Sequence, residues 1–298
     1  MKKWWILLVV FAAWVGLGCV LLGSRHAGAA FERQPSYPPA RIVSMAPNLT
    51  EILFSLGLDE NIVGVTRDSD YPPAAAQKST VGTFWQPNIE AVIALRPDLV
   101  VALDLEQQRS LTGRLTRMGC QCLTLDISTV DDLFAAISTV ATATNRGQQA
   151  EQVLGNMKTK MATIRDKTTG KDRVRVLWVV QREPLRVAGR NTFINELIQL
   201  AGGENAIGPT FHVYPPIGGE QVIASAPQVI VEPTMAAGDM QEQQVQAASY
   251  WKRYVTVPAV ADGRIHVIDG DLVSRLSPRL GDGIEIIAKC LHPEVFGE

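Results

Sequence analysis

Residues 90–101 read EAVIALRPDLVV, and residues 220–231 read EQVIASAPQVIV, 130 positions later. Six of the twelve letters agree, including the leading glutamates, Glu90 and Glu220, and the proline at the eighth place. Apolar residues three and four apart predict a short helix, which the proline ends because it disfavours helical backbone just before it. The apolar run that follows suits a parallel strand buried on both faces. The chain therefore contains one helix–strand unit twice.

A second pair of similar stretches supports this repeat. Residues 51–64 read EILFSLGLDENIVG, and residues 196–208 read ELIQLAGGENAIG. Each predicts a helix closed by glycine, the residue that most easily adopts positive φ. An apolar run typical of a strand precedes each helix. Alternating strands and helices indicate parallel α/β sheets, and we predict two similar lobes, residues 41–145 and 173–298.

A long helical pattern separates the two predicted lobes. It covers residues 130–167 and is interrupted at Asn145, Arg146 and Gly147. Its second part would be about 30 Å long, since a helix rises about 1.5 Å per residue. We assign residues 146–172 to a bridging helix that holds the lobes at a fixed spacing and leaves one cleft between them.

Composition limits the class of partner. A chain of 298 residues suggests about two domains. The formal net charge is −2, and the sequence has no concentrated block of lysine and arginine. Nucleic acid is therefore excluded as a partner, because phosphate binding needs such a basic surface.

The N-terminus has the pattern of an export signal. Two lysines precede an apolar run at residues 4–22, and Ala-Gly-Ala at residues 27–29 fits a cleavage site. Residues 1–30 are thus read as a signal peptide or a membrane anchor, and Cys19 leaves a lipoprotein reading open. All three place the remainder outside the cytoplasm. Residues 31–40, rich in proline, are read as a linker.

Three further cysteines are sparse for an exported chain. Cys120 and Cys122 lie two apart on a predicted strand or its approach, where alternate side chains are poorly placed to bridge each other. Cys290 lies in the last predicted helix. We expect buried, unpaired thiols, and the sequence leaves their redox state open. No spacing fits a zinc site.

Several stretches together resemble a known family. The stretches are RIVSMAPNLTEILFSLGL, DSDYPPAA, FWQPNIEAVIALRPDLVV, LAGGENAIG and SPRLGDGIEIIAKCLHPEVF, in order over residues 41–298. They are similar to the class III periplasmic substrate-binding proteins of ABC importers for cobalamin, ferric siderophores and haem, with the cobalamin-binding branch most similar. The resemblance implies two Rossmann-like α/β lobes bridged by one long α-helix, with the ligand in the cleft. It also implies a monomeric carrier with no cofactor beyond the bound metal chelate, and a dimeric membrane permease as partner.

The resemblance gives the leading glutamates a role. In the family one surface glutamate of each lobe docks onto arginines of the permease, and the matching positions here are Glu90 and Glu220. The alternative is that each carboxylate only complements its helix dipole, worth about 0.3–1 kcal/mol. Glu51 is interpreted instead as the capping-box partner of Asn48.

The predicted cleft residues lie in loops after the strands, because ligands of such folds bind at the carboxyl ends of strands. Trp85 is expected to form an aromatic wall for a corrin or porphyrin, and Phe84 to point inward. Arginines are expected to pair with ligand carboxylates or phosphates, with the case for Arg275 resting on the resemblance. Arg279 is expected to lock local structure. The predicted set comprises Pro47, Asn48, Arg67, Asp68, Tyr71, Trp85, Gln86, Arg182, Tyr214, Asp271 and Arg275.

The sequence departs from the cobalamin branch at three places. That branch has aromatic residues where this chain has Asp68, Leu272 and Val273. Cobalamin remains the preferred ligand, with a ferric siderophore or haem as the alternative. His212 and Tyr214 are the one plausible metal-binding pair, although ordinary polar surface is the preferred reading of that loop, and we predict no metal site.

No assembled catalytic motif is present in the sequence. It has no G-x-S-x-G, no H-E-x-x-H, no P-loop and no G-x-G-x-x-G between a strand and a helix. We therefore predict a carrier with no catalytic residues. Two alternatives of another class stay open: an exported α/β enzyme with a scattered site, and a sensor or adhesion module that keeps the fold without serving a transporter.

Overall fold

The computed structural model of the protein describes residues 37–234 and 239–297. The predicted leader, residues 1–30, and most of the predicted linker, residues 31–40, lie outside the described residues. Within the described part of the chain, no helix combines the length and the apolar composition that a membrane crossing requires.

The N-terminal lobe is built on a five-stranded sheet in which all neighbouring strands are parallel. The strands are β1 (Ile42–Ser44), β2 (Ile62–Val65), β3 (Ser79–Thr80), β4 (Leu99–Leu103) and β5 (Gln121–Leu125). Their spatial order is β3-β2-β1-β4-β5. The chain therefore changes direction across the sheet between β1 and β4, and such a switch point opens a crevice at the carboxyl ends of the two strands.

Five helices accompany or follow this sheet. They are α1 (Pro47–Ser55), α2 (Ile89–Ala94), α3 (Glu106–Arg117), α4 (Val130–Thr144) and α5 (Gly147–Thr168). The 22 residues of α5 give a length of about 33 Å. Asn145 ends α4 in the left-handed conformation, with φ of 57°. The bridging helix and its predicted interruption are confirmed.

The C-terminal lobe has a second sheet that is only partly parallel. Its strands are β6 (Val174–Arg182), β7 (Leu185–Val187), β8 (Gly203–Asn205), β9 (Val229–Pro233) and β10 (Ile265–Ile268). The first part of β6 pairs in parallel with β8 and β9, and β9 pairs in parallel with β10. The last part of β6 turns at residues 183–184 and pairs antiparallel with β7. The predicted parallel pairing is present among β6, β8, β9 and β10, and the hairpin of β6 with β7 adds an antiparallel pair that the alternation of strands and helices did not predict.

Helices cover both faces of the second sheet. They are α6 (Phe193–Leu200), α7 (Gly219–Ser225), α8 (Met240–Trp251), α9 (Pro258–Ala261), α10 (Gly270–Val273), α11 (Leu280–Leu291) and α12 (Pro293–Phe296). In the second pair of similar stretches, the helices α1 and α6 are followed by Gly57 and Gly202. The φ angles of these glycines are 69° and 86°. The predicted glycine ends of α1 and α6 are confirmed. The fold class, two α/β lobes bridged by one long helix, is confirmed as well.

Alternation along the strands divides the apolar residues among three cores. Ile42 of β1 and Val176 of β6 belong to one core that runs through both lobes and the bridging helix. Val43 faces a core confined to the N-terminal lobe, and Leu177 faces a core confined to the C-terminal lobe. One face of each sheet thus packs on the shared core, which fixes the lobes relative to α5.

A half-buried histidine, His266, lies on the edge strand β10. Burial and the nearby Arg264 charge lower the pKa of His266, and its Nε2 is buried without a hydrogen-bond partner. The unfolded chain takes up a proton near pH 6.5 and the folded chain only at lower pH, so stability falls as pH drops through about 6.5. Denaturant titrations from pH 7.5 to 5 should show this loss, and His266→Gln should flatten it. His212→Gln is the comparison variant, because it removes an exposed imidazole that is not packed inside the fold.

Candidate functional site

A cavity of about 400 Å³ lies between the lobes at the predicted crevice. Pro47 and Asn48 follow β1, and Leu103 ends β4, so the switch point of the first sheet forms its base. The remaining lining residues from the N-terminal lobe are Asp68, Phe84, Trp85 and Ile127, and those from the C-terminal lobe are Phe193, Ser274, Arg275 and Leu276.

Trp85 stands at the tip of a tight turn on the rim of this cavity. Its side chain is 71% exposed and meets Phe84 edge-to-face, with ring centroids 4.8 Å apart. The turn is closed by the Thr83 amide donating to the Gln86 carbonyl at 3.1 Å. At its base Gly82 has φ of 97°, and a Cβ there would lie 2.6 Å from the Gln86 carbonyl oxygen. Glycine is therefore required to present the indole ring to the cleft.

Asp68 supports the Trp85 turn from the neighbouring loop. Its carboxylate accepts a hydrogen bond of 2.7 Å from the Phe84 amide. This carboxylate thus positions the two aromatic residues of the turn. Phe84 is half-buried: it packs against the shared core and also lines the cavity.

An ion-pair cluster joins the lobes beside the cavity. The Arg279 guanidinium donates from Nε and Nη2 to the two carboxylate oxygens of Glu51, both at 2.8 Å. The Glu51 side chain is 2% exposed, and its hydrogen bonds raise the pKa of Arg279. The Arg279 guanidinium also stacks on the Tyr71 ring, 3.7 Å from its centroid. Because Glu51 lies on α1 and Arg279 precedes α11, this pair connects the two lobes directly.

The capping role expected for Glu51 is wrong. Helix α1 has Ala46 at its N-cap and no side-chain cap. Asn48 instead donates from Nδ2 to the Leu276 carbonyl of the other lobe at 3.3 Å. Arg279 likewise does more than lock local structure. The spacing of Asn48 and Glu51 fits a capping box, but pairing with distant partners takes precedence over the local bonds.

Glu196 occupies the matching place in the second of the similar stretches. Its carboxylate lies on α6 and accepts a hydrogen bond of 2.9 Å from the Val130 amide, at the start of α4 in the other lobe. The second pair of similar stretches begins with Glu51 and Glu196. Glu51 of the N-terminal lobe therefore bonds to the C-terminal lobe, and Glu196 of the C-terminal lobe bonds to the N-terminal lobe. The sequence analysis did not predict this role. The matching positions of Glu51 and Glu196 in the two similar stretches were the feature that could have indicated it.

Arg275 lines the cavity but is already surrounded by acids. Its Nη2 lies 2.6 Å from Asp271, and its Nη1 lies 3.6 Å from Asp70 and 3.7 Å from Glu51. The Nη1 atom is buried without a hydrogen bond. Asp271 is thus a partner of Arg275 and is not part of the cavity wall.

Arg182 is held at the carboxyl end of β6. It donates from Nε and Nη2 to Glu232 Oε2 at 2.8 and 2.6 Å, and Glu232 also accepts from Trp251 Nε1 at 2.6 Å. The Glu232 side chain is 8% exposed. Arg182 therefore ties β6 to β9 and does not line the Trp85 cavity.

The remaining predicted residues lie around the rim. Arg67 and Gln86 are exposed and do not line the cavity. The Tyr71 ring is covered by the Arg279 guanidinium. Tyr214 is half-buried, burial raises its pKa, and it lines an adjoining cavity of about 610 Å³ that shares Phe193 with the first. The structure therefore brings together Pro47, Asn48, Asp68, Trp85 and Arg275, while ligand binding by these residues stays a prediction. Leu103, Ile127, Phe193, Ser274 and Leu276 were missed, since apolar and small loop residues give no distinctive sequence signal.

Glu90 and Glu220 occupy equivalent positions. Each is the exposed second residue of its helix, in α2 and α7. Each helix is followed by an inner strand of its sheet, β4 or β9. Its N-terminus therefore lies near the carboxyl ends of the parallel strands. The two carboxylates thus face outward at the edge of each lobe that borders the cleft. Their docking role stays a prediction.

Among the described residues, no group of three or more histidine, cysteine, aspartate or glutamate side chains is arranged to hold a metal ion. His212 is exposed, and its carbonyl accepts a bond from Thr210 at 2.8 Å. The search for groups of three or more side chains does not test the prediction that the pair His212 and Tyr214 forms no metal site.

Comparison with known proteins identifies the family. A sequence profile described as periplasmic binding protein matches residues 42–272. The chain belongs to the periplasmic binding protein family. An ABC transporter substrate-binding lipoprotein of Bacillus subtilis, YvrC, is 29% identical over 267 residues, covering 87% of this chain and 82% of that protein.

Two other similar proteins are named for their ligands. The vitamin B12-binding protein of Pectobacterium carotovorum is 26% identical over 244 residues, covering 81% of this chain and 84% of that protein. The solved structure of the periplasmic haem-binding protein RhuT from Roseiflexus sp. RS-1 superimposes with a TM-score of 0.73 and 25% identity. That match covers 86% of this chain and 98% of RhuT. The resemblance noted in the sequence is confirmed.

Proposed function

We propose that this protein is the extracytoplasmic substrate-binding protein of an ABC importer and that it carries cobalamin. The observation that carries the proposal is the cavity between the lobes, with the exposed Trp85 ring on its rim. Family membership and the vitamin B12-binding relative support it. The export pattern at residues 1–30 supports the location. A carrier of this kind works with a membrane permease and leaves its ligand chemically unchanged.

The charges at the cleft favour a neutral chelate. Among the described residues that line the Trp85 cavity, the charged ones are Asp68 and Arg275. Arg275 already has three carboxylates within 3.7 Å, and Arg182 is paired with the buried Glu232. A corrin carries amide side chains, whereas haem carries two propionates that need unpaired cationic partners. Binding an anionic chelate here would compete with pairs that the protein has already formed.

Haem is the second candidate, and one observation favours it. Tyr214 lines the cavity that adjoins the Trp85 cavity, and a phenolic oxygen is an established haem ligand. The haem-binding neighbour RhuT has the same fold. Haem bound through Tyr214 should give an absorption spectrum that changes in Tyr214→Phe, whereas cobalamin binding should not depend on that hydroxyl group.

Trp85→Ala is expected to weaken cobalamin binding about tenfold to hundredfold. Loss of an aromatic side chain that the ligand covers is expected to cost about 1.4–2.8 kcal/mol, since each 1.4 kcal/mol is about a factor of ten. Isothermal titration calorimetry of the purified protein with cyanocobalamin measures the change in dissociation constant. Phe211→Ala is the matched control, because Phe211 is 97% exposed and does not line the described cavities.

Equal affinity in the wild-type protein and Trp85→Ala would contradict the cleft assignment. Tight binding of hemin with no binding of cyanocobalamin would replace cobalamin by haem and keep the carrier function. The mass of the ligand recovered after release separates a carrier from an enzyme, since a carrier returns it unchanged.

A further inference from the structure

The end of the bridging helix α5 borders a cavity of about 640 Å³. Its wall combines the start of α4, the second half of α5, the segment that leads to β6, and α6. This α5 cavity shares no lining residue with the Trp85 cavity. Its volume lies within the roughly 300–1,000 Å³ that is typical of small-molecule sites. Elements of both lobes therefore enclose a second space that is large enough for a ligand.

Gly202 forms the corner of the α5 cavity where the ends of α5 and α6 meet. A Cβ at this position would lie 2.8 Å from His292 Nε2 and 2.9 Å from Thr168 Cβ, so only glycine allows the two helix ends to approach this closely. Arg173 closes the same corner by donating from Nη1 to the Gly203 carbonyl at 2.9 Å. Close packing and a hydrogen bond to the backbone thus hold this part of the wall in place.

Apolar side chains from three different helices line the α5 cavity. They are Phe134 of α4, Met161 of α5 and Leu200 of α6. Each is half-buried and packs against the shared core, so one part of its surface faces the core and another part faces the cavity. An apolar molecule gains most from burial where such surface lines a concave site. The wall therefore offers a place for the apolar body of a ligand.

Three basic side chains line the same cavity, and their charges are only weakly compensated. They are Arg165, Lys171 and Arg173. Arg165 and Lys171 form ion pairs with Asp166 and Glu294, both at 3.7 Å, and these two acids are 74% and 54% exposed. Solvent screens such surface pairs, so they neutralise little of the positive charge. Arg173 donates to backbone carbonyls, which leave its charge uncompensated.

Two acidic side chains, Asp131 and Glu196, also line the α5 cavity. The Glu196 carboxylate already accepts a hydrogen bond of 2.9 Å from the Val130 amide. The acids belong to α4 and α6, whereas the three cations all come from residues 165–173. Among the described residues of this wall, the cations outnumber the acids by one. A negatively charged group therefore fits the part of the wall that residues 165–173 form.

We propose that the α5 cavity is a second binding site, which takes a small amphipathic anion. Its carboxylate or sulfonate group binds the cations of residues 165–173, because guanidinium and ammonium groups form their strongest hydrogen bonds with such anions. Its apolar body packs against Phe134, Met161 and Leu200. The two cavities have separate lining residues, so this site does not depend on cobalamin being the ligand of the cleft.

The test uses 8-anilinonaphthalene-1-sulfonate, an amphipathic aryl sulfonate whose fluorescence rises in apolar surroundings, titrated into the purified protein. We expect saturable binding that Arg165→Glu with Lys171→Glu weakens at least tenfold. Both side chains are largely or partly exposed, 72% and 41%, so the double variant should keep its fold. The uncharged analogue N-phenyl-1-naphthylamine should bind at least tenfold more weakly than the sulfonate, because it has no group for the cations to bind.

The matched control is Arg114→Glu with Arg117→Glu, two exposed arginines in the last turn of α3 that do not line the α5 cavity. It changes the net charge by the same amount and should leave the affinity for the sulfonate unchanged. Trp85→Ala should leave it unchanged as well, since Trp85 lies on the other cavity.

Four results would overturn the proposal. The wild-type protein could show no saturable binding of the sulfonate, or the uncharged analogue could bind as tightly. Equal weakening in the two double variants would show attraction by net charge alone. Loss of binding in Trp85→Ala, with none in the variant at Arg165 and Lys171, would place the probe in the cleft.

Discussion

Reversing the charge at both Glu90 and Glu220 is expected to abolish uptake of cobalamin by cells while its affinity for the purified protein stays unchanged. Each carboxylate is exposed at the second position of its helix, one in each lobe. Two equivalent acids can meet two equivalent basic pockets on a two-fold permease. Charges at such a rim govern encounter and orientation, so opposite charges at both places would repel the partner. Uptake of labelled cobalamin is the measurement, and either single reversal should give an intermediate rate.

The matched control is Glu106→Arg with Glu242→Arg. Both residues are exposed, each lies in the first turn of its helix, and each lobe contributes one. This control changes the net charge by the same amount and likewise places arginines in the first turns of two helices. If docking is specific to Glu90 and Glu220, the control protein supports normal uptake. Equal loss of uptake in both double variants would refute the docking role and leave the helix-dipole interpretation.

The organisation of the chain could be predicted because its causes are local and repeated. Residues 90–101 and 220–231 became α2 with β4 and α7 with β9, and the helical pattern became α5, interrupted at Asn145. Periodicity, proline and left-handed residues act within a few positions, so one sequence displays them. The hairpin of β6 and β7 was not predicted, because the antiparallel pairing of β6 depends on where the neighbouring strands end. Periodicity does not encode those ends.

The candidate site was predictable in its loops but not in its pairings. Trp85 was predicted from turn residues around an aromatic ring, and the structure puts it on the rim of the cavity. Glu51, by contrast, has a local partner at a suitable spacing and a distant one, and the distant one, Arg279, lies 228 positions away. A single sequence shows the local pattern alone. The pairs of Arg182 with Glu232 and of Arg275 with Glu51 are distant in the same way, whereas Asp271 lies only four positions from Arg275.

Glu51→Gln is expected to destabilise the protein by about 3–5 kcal/mol, the usual cost of removing one partner from a buried ion pair. The Glu51 side chain is 2% exposed, and its loss leaves Arg279 and Arg275 together without that carboxylate. Equilibrium unfolding in urea, read by tryptophan fluorescence, measures the change. Arg109→Ala is the control, since its pair with Asp104 is 62% and 41% exposed and solvent screens such a surface pair, so the free energy of unfolding should stay nearly unchanged.

The cluster also predicts an order among the variants. Arg279→Met should cost less than Glu51→Gln, because Glu51 keeps Arg275 at 3.7 Å when Arg279 is removed. The double variant Glu51→Leu with Arg279→Met should cost less than the sum of the singles, since it leaves no uncompensated charge from this pair. Strict additivity would show that Glu51 and Arg279 do not interact energetically. The lobes would then be held by the shared core, α5 and the other contacts between them, such as those of Asn48 and Glu196, and the ion pair would have no part in fixing the width of the cleft.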